Sequence, residues 1–162
     1  MSIEKVREYL GGYGLAERIK EFECSSATVE LAAAALGTEG ARIAKSISLS
    51  APDGKCVLVV CAGDMKIDNR KFKDKFVFKP KMLSADDALA LTGHAVGGVC
   101  PFALPKGVSV YLDESLRRFD LVYPAAGTSS SAVELTPDEL YKSSRAIEWV
   151  DVCKSREAEV NN

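Results

Sequence analysis

Three consecutive segments predict the centre of the fold: Arg42-Ile-Ala-Lys-Ser-Ile-Ser-Leu-Ser50, Ala51-Pro-Asp-Gly-Lys55 and Cys56-Val-Leu-Val-Val-Cys-Ala62. The first segment alternates between two kinds of residue, as a β-strand does when its faces meet different surroundings. The Pro and Asp-Gly of the second segment favour a turn. The third segment is apolar throughout, which is typical of a central strand covered on both faces. We therefore predict a β-hairpin at the centre of a sheet.

One residue breaks the pattern of the first strand. Alternation puts Lys45 on the same face as Ile43, Ile47 and Leu49, so a cation lies in an apolar row. An unpaired ammonium in a low-dielectric site is costly, and lysine is seldom fully buried without a partner. Two interpretations are open. The long side chain reaches solvent at the margin of the sheet, or Lys45 is a working group that faces a cavity.

The composition indicates one ordinary globular domain. The 162 residues are 47% hydrophobic and 27% charged, and the net charge is −2, so a nucleic-acid partner needs a local basic patch. The five cysteines are odd in number and form no C-x-x-C pair, which argues against a disulfide framework or a zinc site and favours a reducing compartment. The N-terminal residues lack a signal-peptide pattern, and no apolar run is long enough to span a membrane. We expect a cytoplasmic protein without a membrane partner.

The order of predicted elements indicates an α+β fold in a single domain, with a curled, mixed but mostly antiparallel sheet flanked by short helices. We predict helices over residues 2–10, 28–36 and 84–91 and from 136 onward, and further strands over 108–112, 121–123, 133–135 and 147–152. The second helix has Ser25, Ser26 and Thr28 as cap candidates and Gly37 as its stop, Ser84 can cap the third, and Thr136 and Glu139 form a capping box for the fourth. Residues 17–23 are ambiguous and could form an edge strand, and 125–131 read as a loop. The domain is expected to cover residues 1–153, and the charged tail 154–162 is expected to be disordered.

The most glycine-rich loop runs from Thr92 to Pro105. Gly97 and Gly98 are adjacent, which suits close approach of backbone to a ligand or, alternatively, a tight surface connection. His94 is the single histidine and therefore the one residue available for histidine acid–base chemistry, although a lone loop histidine more often packs. Cys100 is a weaker candidate for a nucleophile, because its sequence neighbourhood offers no activating group except His94.

Residues 66–81 are richer in basic residues than the rest of the chain. They hold seven of the 21 basic residues, interleaved with three phenylalanines: Lys66, Arg70, Lys71, Lys73, Lys75, Lys79 and Lys81. Such a segment is either a solvated amphipathic face or the local patch that a nucleic acid requires. Both interpretations remain open from the sequence.

Three stretches together resemble the YbaK/EbsC family, the freestanding relatives of the editing domain inserted in bacterial prolyl-tRNA synthetases. They are Arg42-Ile-Ala-Lys-Ser46, Leu91-Thr-Gly-His-Ala-Val-Gly-Gly-Val-Cys-Pro-Phe102 and Leu121-Val-Tyr-Pro-Ala-Ala-Gly127. The resemblance covers nearly the whole chain. It implies the fold of that editing domain and a trans-editing deacylase that hydrolyses the ester of a mischarged aminoacyl-tRNA, such as Cys- or Ala-tRNA-Pro. It implies no metal and no other cofactor, and an aminoacyl-tRNA synthetase is a possible partner.

The resemblance also implies roles for particular residues. Lys45 matches the family's essential lysine, which we expect to bind the terminal adenosine or the ester. We expect substrate contacts from the glycine loop and the late loop, through His94, Gly97, Gly98, Val99, Pro101 and Gly127. We expect tRNA contacts from Lys66, Arg70, Lys71, Lys73 and Lys75.

Some positions depart from the family pattern, among them Ala125, Ala126 and Ala132. These departures leave the amino-acid specificity open. They also give weight to an alternative, a non-catalytic module that binds a nucleotide, a tRNA or a protein in the same pocket. A third possibility is a cysteine hydrolase built on Cys100, which thiol alkylation would inactivate.

Overall fold

The predicted hairpin is the centre of the computed structural model, which describes residues 2–23 and 28–156. The helices are α1 (Ser2–Gly11), α2 (Val29–Leu36), α3 (Asn69–Phe76), α4 (Ala85–Thr92) and α5 (Pro137–Ser143). The strands are β1 (Ile19–Glu21), β2 (Ile43–Ser50), β3 (Cys56–Ala62), β4 (Met65–Ile67), β5 (Val108–Asp113), β6 (Tyr123–Pro124), β7 (Ser131–Val133), β8 (Trp149–Val150) and β9 (Cys153–Ser155). Short 3₁₀ turns precede β1 and β2 and follow β5. The predicted α+β class with a mixed sheet is confirmed.

The central sheet has the strand order β6-β2-β3-β5-β8. The hairpin β2–β3 is antiparallel, but β2–β6, β3–β5 and β5–β8 are parallel. The expectation that this sheet is mostly antiparallel is therefore wrong. The reason is the long connection after β3. Because α3, α4 and the glycine loop return the chain to the end of the sheet at which β3 begins, β5 runs in the same direction as β3. Antiparallel pairing occurs instead in two small flanking sheets, β1–β7 and β4–β9.

Strand β3 is buried along its whole length, as predicted. Leu58 and Val60 face the larger core cluster, which includes α1 residues such as Val6 and Leu10. Val57, Val59 and Cys61 face a second cluster that is closed by Phe72 of α3. Because β2 pairs with β3 in register from Ala44 to Ser50, each face of β2 belongs to a different cluster.

The helix boundaries follow from the predicted capping residues. The Thr28 hydroxyl accepts a hydrogen bond from the Leu31 amide, and Gly37 ends α2 in a left-handed conformation with φ of 69°. Ser84 caps α4, and Thr136 forms the predicted capping box of α5 with Glu139. The other cap candidates of α2, Ser25 and Ser26, lie outside the described residues. Within residues 2–23 and 28–156, no helix is long and apolar enough to cross a membrane.

Several short strands differ from their predicted positions. The ambiguous segment 17–23 contains β1, whose partner β7 begins two residues before the predicted 133–135 strand. The predicted strand over 147–152 is reduced to β8, and the chain continues into β9. Lys154 and Ser155 thus belong to an ordered strand and not to a disordered tail, because the buried Cys153 anchors β9 beside β4. Residues 157–162 of the predicted tail lie outside the described residues.

Candidate active site

The free edge of β2 is the most distinctive feature of the sheet. On this edge Ile43 and Ala44 pair with β6, and at the far end the Ser50 amide donates to the Lys81 carbonyl (2.8 Å). The Leu83 amide donates to the Ser48 carbonyl (3.0 Å). The backbone groups of alternate residues point to the same edge of a strand. The backbone of Ser46 therefore points outward between these two paired regions.

A cavity of about 300 Å³ lies along this free edge. It reaches around both faces of β2, since Ala44 and Ser46 line it from one face and Lys45 and Ile47 from the other. The remaining wall comes from α2, the 82–83 segment, the glycine loop and the late loop. Its side chains are mostly small or aliphatic: Val29, Ala32, Met82, Leu83, Ala88, Val96, Val99, Ala125 and Ala132.

Among the residues that the structure describes, Lys45 contributes the one ammonium group that lines this cavity. It is half-buried, lies directly across from Cys61 of β3, and makes no ion pair within the described parts of the chain. Burial lowers the pKa of Lys45 below its usual value, and Arg156 lowers it further, whereas Cys61 has the opposite effect. An unpaired, partly desolvated cation in an apolar cavity is suited to bind an anionic or strongly dipolar ligand group.

Glycine contacts position the loop that faces Lys45. A Cβ atom on Gly98 would lie 2.5 Å from the Gly127 carbonyl oxygen, so the two loops touch through their backbones. Gly127 has φ of 96°, and a Cβ there would lie 2.8 Å from the Ser2 hydroxyl oxygen of α1. This stack of α1, the late loop and the glycine loop leaves Gly97 and Val99 lining the cavity, whereas Gly98 and Gly127, which were expected to contact substrate, pack against each other and do not line it. Pro101 is buried behind them and does not line it.

His94 lies outside the cavity, in contrast to the predicted substrate contact. The side chain is buried, its Nε2–H donates to the Phe102 carbonyl (2.8 Å), and its Nδ1 accepts from the Ser2 hydroxyl. Burial lowers the pKa of His94 below its usual value of 6.5, so the neutral ring is favoured. The histidine ties the glycine loop to α1 and thus positions the cavity wall indirectly.

The comparisons with known proteins identify the family of the chain. Residues 24–143 match the aminoacyl-tRNA editing domain, a span that contains Lys45 and both loops. The chain belongs to the aminoacyl-tRNA editing domain family.

Three relatives illustrate the similarity. The Bacillus subtilis (strain 168) protein named "Uncharacterized protein YwhH" is 48% identical over 157 residues, which cover 97% of this chain and 100% of that protein. The crystal structure of a proposed trans-editing enzyme for prolyl tRNA synthetase superposes with a TM-score of 0.86 at 28% identity, over 95% of this chain and 98% of the other. The crystal structure of the hypothetical protein APE2540 gives 0.83 at 30% identity, over 93% and 99%.

Cys100 of this editing domain is unsuited to act as a nucleophile. The side chain is fully buried, and burial raises the pKa of its thiol to about 12. Its Sγ lies 3.5 Å from His94 Nε2, but that nitrogen carries the proton donated to Phe102. His94 therefore cannot accept the thiol proton there, and the geometry disfavours the cysteine-hydrolase hypothesis.

The predicted tRNA-binding residues are not in the cavity and do not form a uniformly free patch. Lys71 of α3 pairs with Asp151 (3.1 Å), and Lys75 pairs with Glu148 (2.7 Å). Arg70 and Lys73 are exposed and have no ion pair within the described residues. Lys66 lies on β4 opposite Lys154 of β9. The interleaved phenylalanines are explained by packing, since Phe72 is buried and contacts the rings of Phe76 and Phe78.

Sequence reasoning did not identify Ser46 or the walls from α2 and residues 82–83. The alternation of β2 placed Ser46 on a face with Ala44, Ser48 and Ser50, and this run of small residues was the available signal for a space beside the strand. The contributions of α2 and Met82 depend on tertiary packing and have no local signal.

We expect Gly98→Ala to lower the free energy of unfolding by about 1–3 kcal/mol, because the added methyl group collides with the Gly127 carbonyl. Urea unfolding followed by circular dichroism measures the change. The matched control is Gly11→Ala at the end of α1, where a Cβ would meet nothing within 4 Å. Equal effects of the two substitutions would contradict the backbone contact between the loops.

We expect the stability of the protein to fall as the pH drops below 6.5, in part because of His94. The folded pKa lies below the unfolded value, so in this window the unfolded chain binds a proton that the folded chain does not, and folding loses free energy as pH falls. The difference in unfolding free energy between about pH 7.5 and about pH 5 should be larger for the wild type than for His94→Gln. Identical differences would show that His94 titrates normally in the folded state.

Proposed function

We propose that the protein is a trans-editing deacylase that hydrolyses the ester between a small amino acid and a tRNA, with Cys- or Ala-tRNA-Pro as the type of substrate. The observation that carries this proposal is the half-buried Lys45, which has no ion pair with any described residue and lies on the wall of a small, mostly apolar cavity in a member of the editing-domain family. The structural neighbour described as a proposed trans-editing enzyme for prolyl tRNA synthetase supports the same substrate class.

The reaction requires little covalent chemistry from the protein. Water adds to the ester carbonyl carbon, the bond from that carbon to the ribose oxygen breaks, and a free amino acid and a terminal hydroxyl group remain. Negative charge develops on the carbonyl oxygen during attack. Preorganised charges and dipoles stabilise such an oxyanion most effectively where water is excluded. Substrate positioning provides a further part of the rate.

The cavity offers suitable groups for these tasks. In the proposal, the Lys45 ammonium binds the ester or the terminal ribose from one face of β2. The outward backbone groups of Ser46 and the backbone of Gly97 and Val99 orient the aminoacyl group at the free edge. The small side chains of Val99, Ala125 and Ala132 bound the space for the amino-acid side chain.

We place the acceptor stem of the tRNA along α3. Arg70 and Lys73 provide the charges that are free for phosphates, while Lys71, Lys75 and Lys66 contribute at the margin of that surface. An aminoacyl-tRNA synthetase remains a possible partner, since a trans-editing enzyme acts on the product of one. The proposed substrate places the protein in the cytoplasm.

We expect Lys45→Met to reduce the rate of deacylation by a factor of about 100 or more, because it removes the charge that stabilises the transition state. The assay is single-turnover release of labelled amino acid from Ala-, Cys- and Pro-tRNA-Pro and from Ser- and Thr-tRNA. The melting temperature should stay the same or rise, because the lowered pKa of Lys45 shows that the fold disfavours its charged form.

The control for this experiment is Lys55→Met, which removes an exposed lysine from the turn of the same hairpin. Wild-type activity of the Lys45→Met variant would show that Lys45 takes no part in deacylation. Tight binding of aminoacyl-tRNA without hydrolysis by the wild type would instead identify the non-catalytic binding module.

We expect Arg70→Gln with Lys73→Gln to weaken tRNA binding and to reduce the slope of log K against log salt by about 1 for each phosphate that the protein no longer neutralises. The matched double variant is Lys71→Gln with Lys75→Gln, where each lysine is already paired with a carboxylate and a smaller reduction is expected. Filter binding across a salt series measures both slopes. An unchanged slope in the first variant would show that tRNA binds to a surface other than α3.

A further inference from the structure

Ser46 has a buried hydroxyl group without a hydrogen-bond partner among the described residues. The residue lines the cavity, directly beside Lys45 in sequence. Three other hydroxyl groups of the cavity wall are engaged: the Tyr123 hydroxyl donates to Glu134 (3.0 Å), Ser131 donates to the Thr128 carbonyl (3.2 Å), and Thr28 accepts from the Leu31 amide (3.2 Å). Ser46 differs from these residues because its hydroxyl group forms no hydrogen bond with the described residues.

An unused buried hydroxyl needs an explanation. Burying a polar group without a partner is unfavourable, and most buried polar side chains in proteins are hydrogen-bonded. Packing does not require the hydroxyl, since the next residue on the same face of β2, Ala44, fills a more deeply buried position with a plain methyl side chain. A group that enters the cavity with a bound molecule would supply the missing partner.

The two faces of β2 give the cavity two chemically different halves. Lys45 lies on the face of Cys61, where Asp64 and Arg156 are close enough to influence its pKa. Ser46 lies on the opposite face, across from Val60.

The Ser46 half is small and apolar. On this face Val99 and Ala125 pack against the larger core cluster, and Ala132 lines the same wall. A charged or polar part of a ligand suits the Lys45 half, and a small side chain suits the Ser46 half.

We propose that Ser46 determines the amino-acid specificity of the deacylase, by hydrogen bonding to a polar group on the Cβ of the bound aminoacyl residue. Serine and cysteine carry such a group, and alanine, which has nearly the same size, does not. The proposal rests on the deacylase function proposed above and deepens it. A short rotation about the Cα–Cβ bond of Ser46 directs the hydroxyl toward the ligand. A site that hydrogen-bonds a substrate group discriminates against the analogue that lacks it, because the protein group is then left unpaired.

The experiment compares seryl and alanyl esters of one and the same tRNA, with wild type, Ser46→Ala and Ser50→Ala. Ser50 is the matched control, since it lies on the same face of β2 but does not line the cavity. We expect the ratio of kcat/KM for the seryl over the alanyl ester to fall by about tenfold or more in Ser46→Ala and to stay constant in Ser50→Ala. The same panel with a cysteinyl ester should show a change in the same direction.

The second readout is independent of hydrolysis. Calorimetric titration with the non-hydrolysable analogues 3′-serylamino- and 3′-alanylamino-3′-deoxyadenosine should show a preference for the seryl compound that Ser46→Ala removes. If Ser46→Ala leaves the seryl-to-alanyl ratio unchanged in both kcat/KM and affinity, or weakens both ligands equally, Ser46 does not determine specificity. The deacylase function would still stand. A wild type that binds both analogues but hydrolyses no aminoacyl-tRNA would overturn the deacylase function, and the binding ratio would still decide the role of Ser46.

Discussion

Strand β2 is hydrogen-bonded along its whole length on one edge only, and the candidate site depends on this asymmetry. On one side it pairs with β3 over seven residues from Ala44 to Ser50. On the other side β6 pairs with the beginning of β2, and the 81–83 segment pairs with its end. An exposed strand edge is normally a liability that proteins cover. Here the uncovered middle of the strand opens onto a cavity, where its backbone groups are available to a small ligand.

The neighbouring features maintain this opening. The Gly98–Gly127 contact and the His94–Ser2 hydrogen bond hold the glycine loop near β2 but not against it. Among the described residues, the Lys45 side chain in the cavity has no ion-pair partner, and the Ser46 hydroxyl is buried without a hydrogen-bond partner. Both features are unfavourable for the isolated fold. Unfavourable polar groups that cluster in one cavity indicate binding, since a ligand can satisfy both at once.

Local sequence patterns were sufficient to predict the parts of the fold that depend on local physics. The hairpin follows from alternation and the Pro-Asp-Gly turn, and the ends of α2 and α5 follow from Thr28, Gly37 and the Thr136 capping box. The parallel pairing of β3 with β5 was not predicted, because it depends on how a connection of more than forty residues folds back. Lys45 was recognised by its position in an apolar row and the glycine loop by its adjacent glycines, and the family resemblance assigned substrate contacts to that loop.

The errors concern residues whose partners lie far away in sequence. His94 was expected to contact substrate, but Ser2, 92 residues away, holds its ring in the interior. The basic segment was treated as one surface, but Asp151 and Glu148 neutralise Lys71 and Lys75 from the other end of the chain. The significance of Ser46 also depends on distant segments, because its burial is produced by loops that pack over β2.

The most direct test of the account is to locate the bound substrate along β2. Titration of the protein with 3′-alanylamino-3′-deoxyadenosine, followed by amide NMR spectra, reports which backbone groups meet the aminoacyl end. We expect the largest changes in chemical shift at the amides of Ser46, Gly97 and Val99, and we expect these changes to disappear in Lys45→Met. Changes centred on α3 or on the turn after β3, with the amide of Ser46 unaffected, would contradict it.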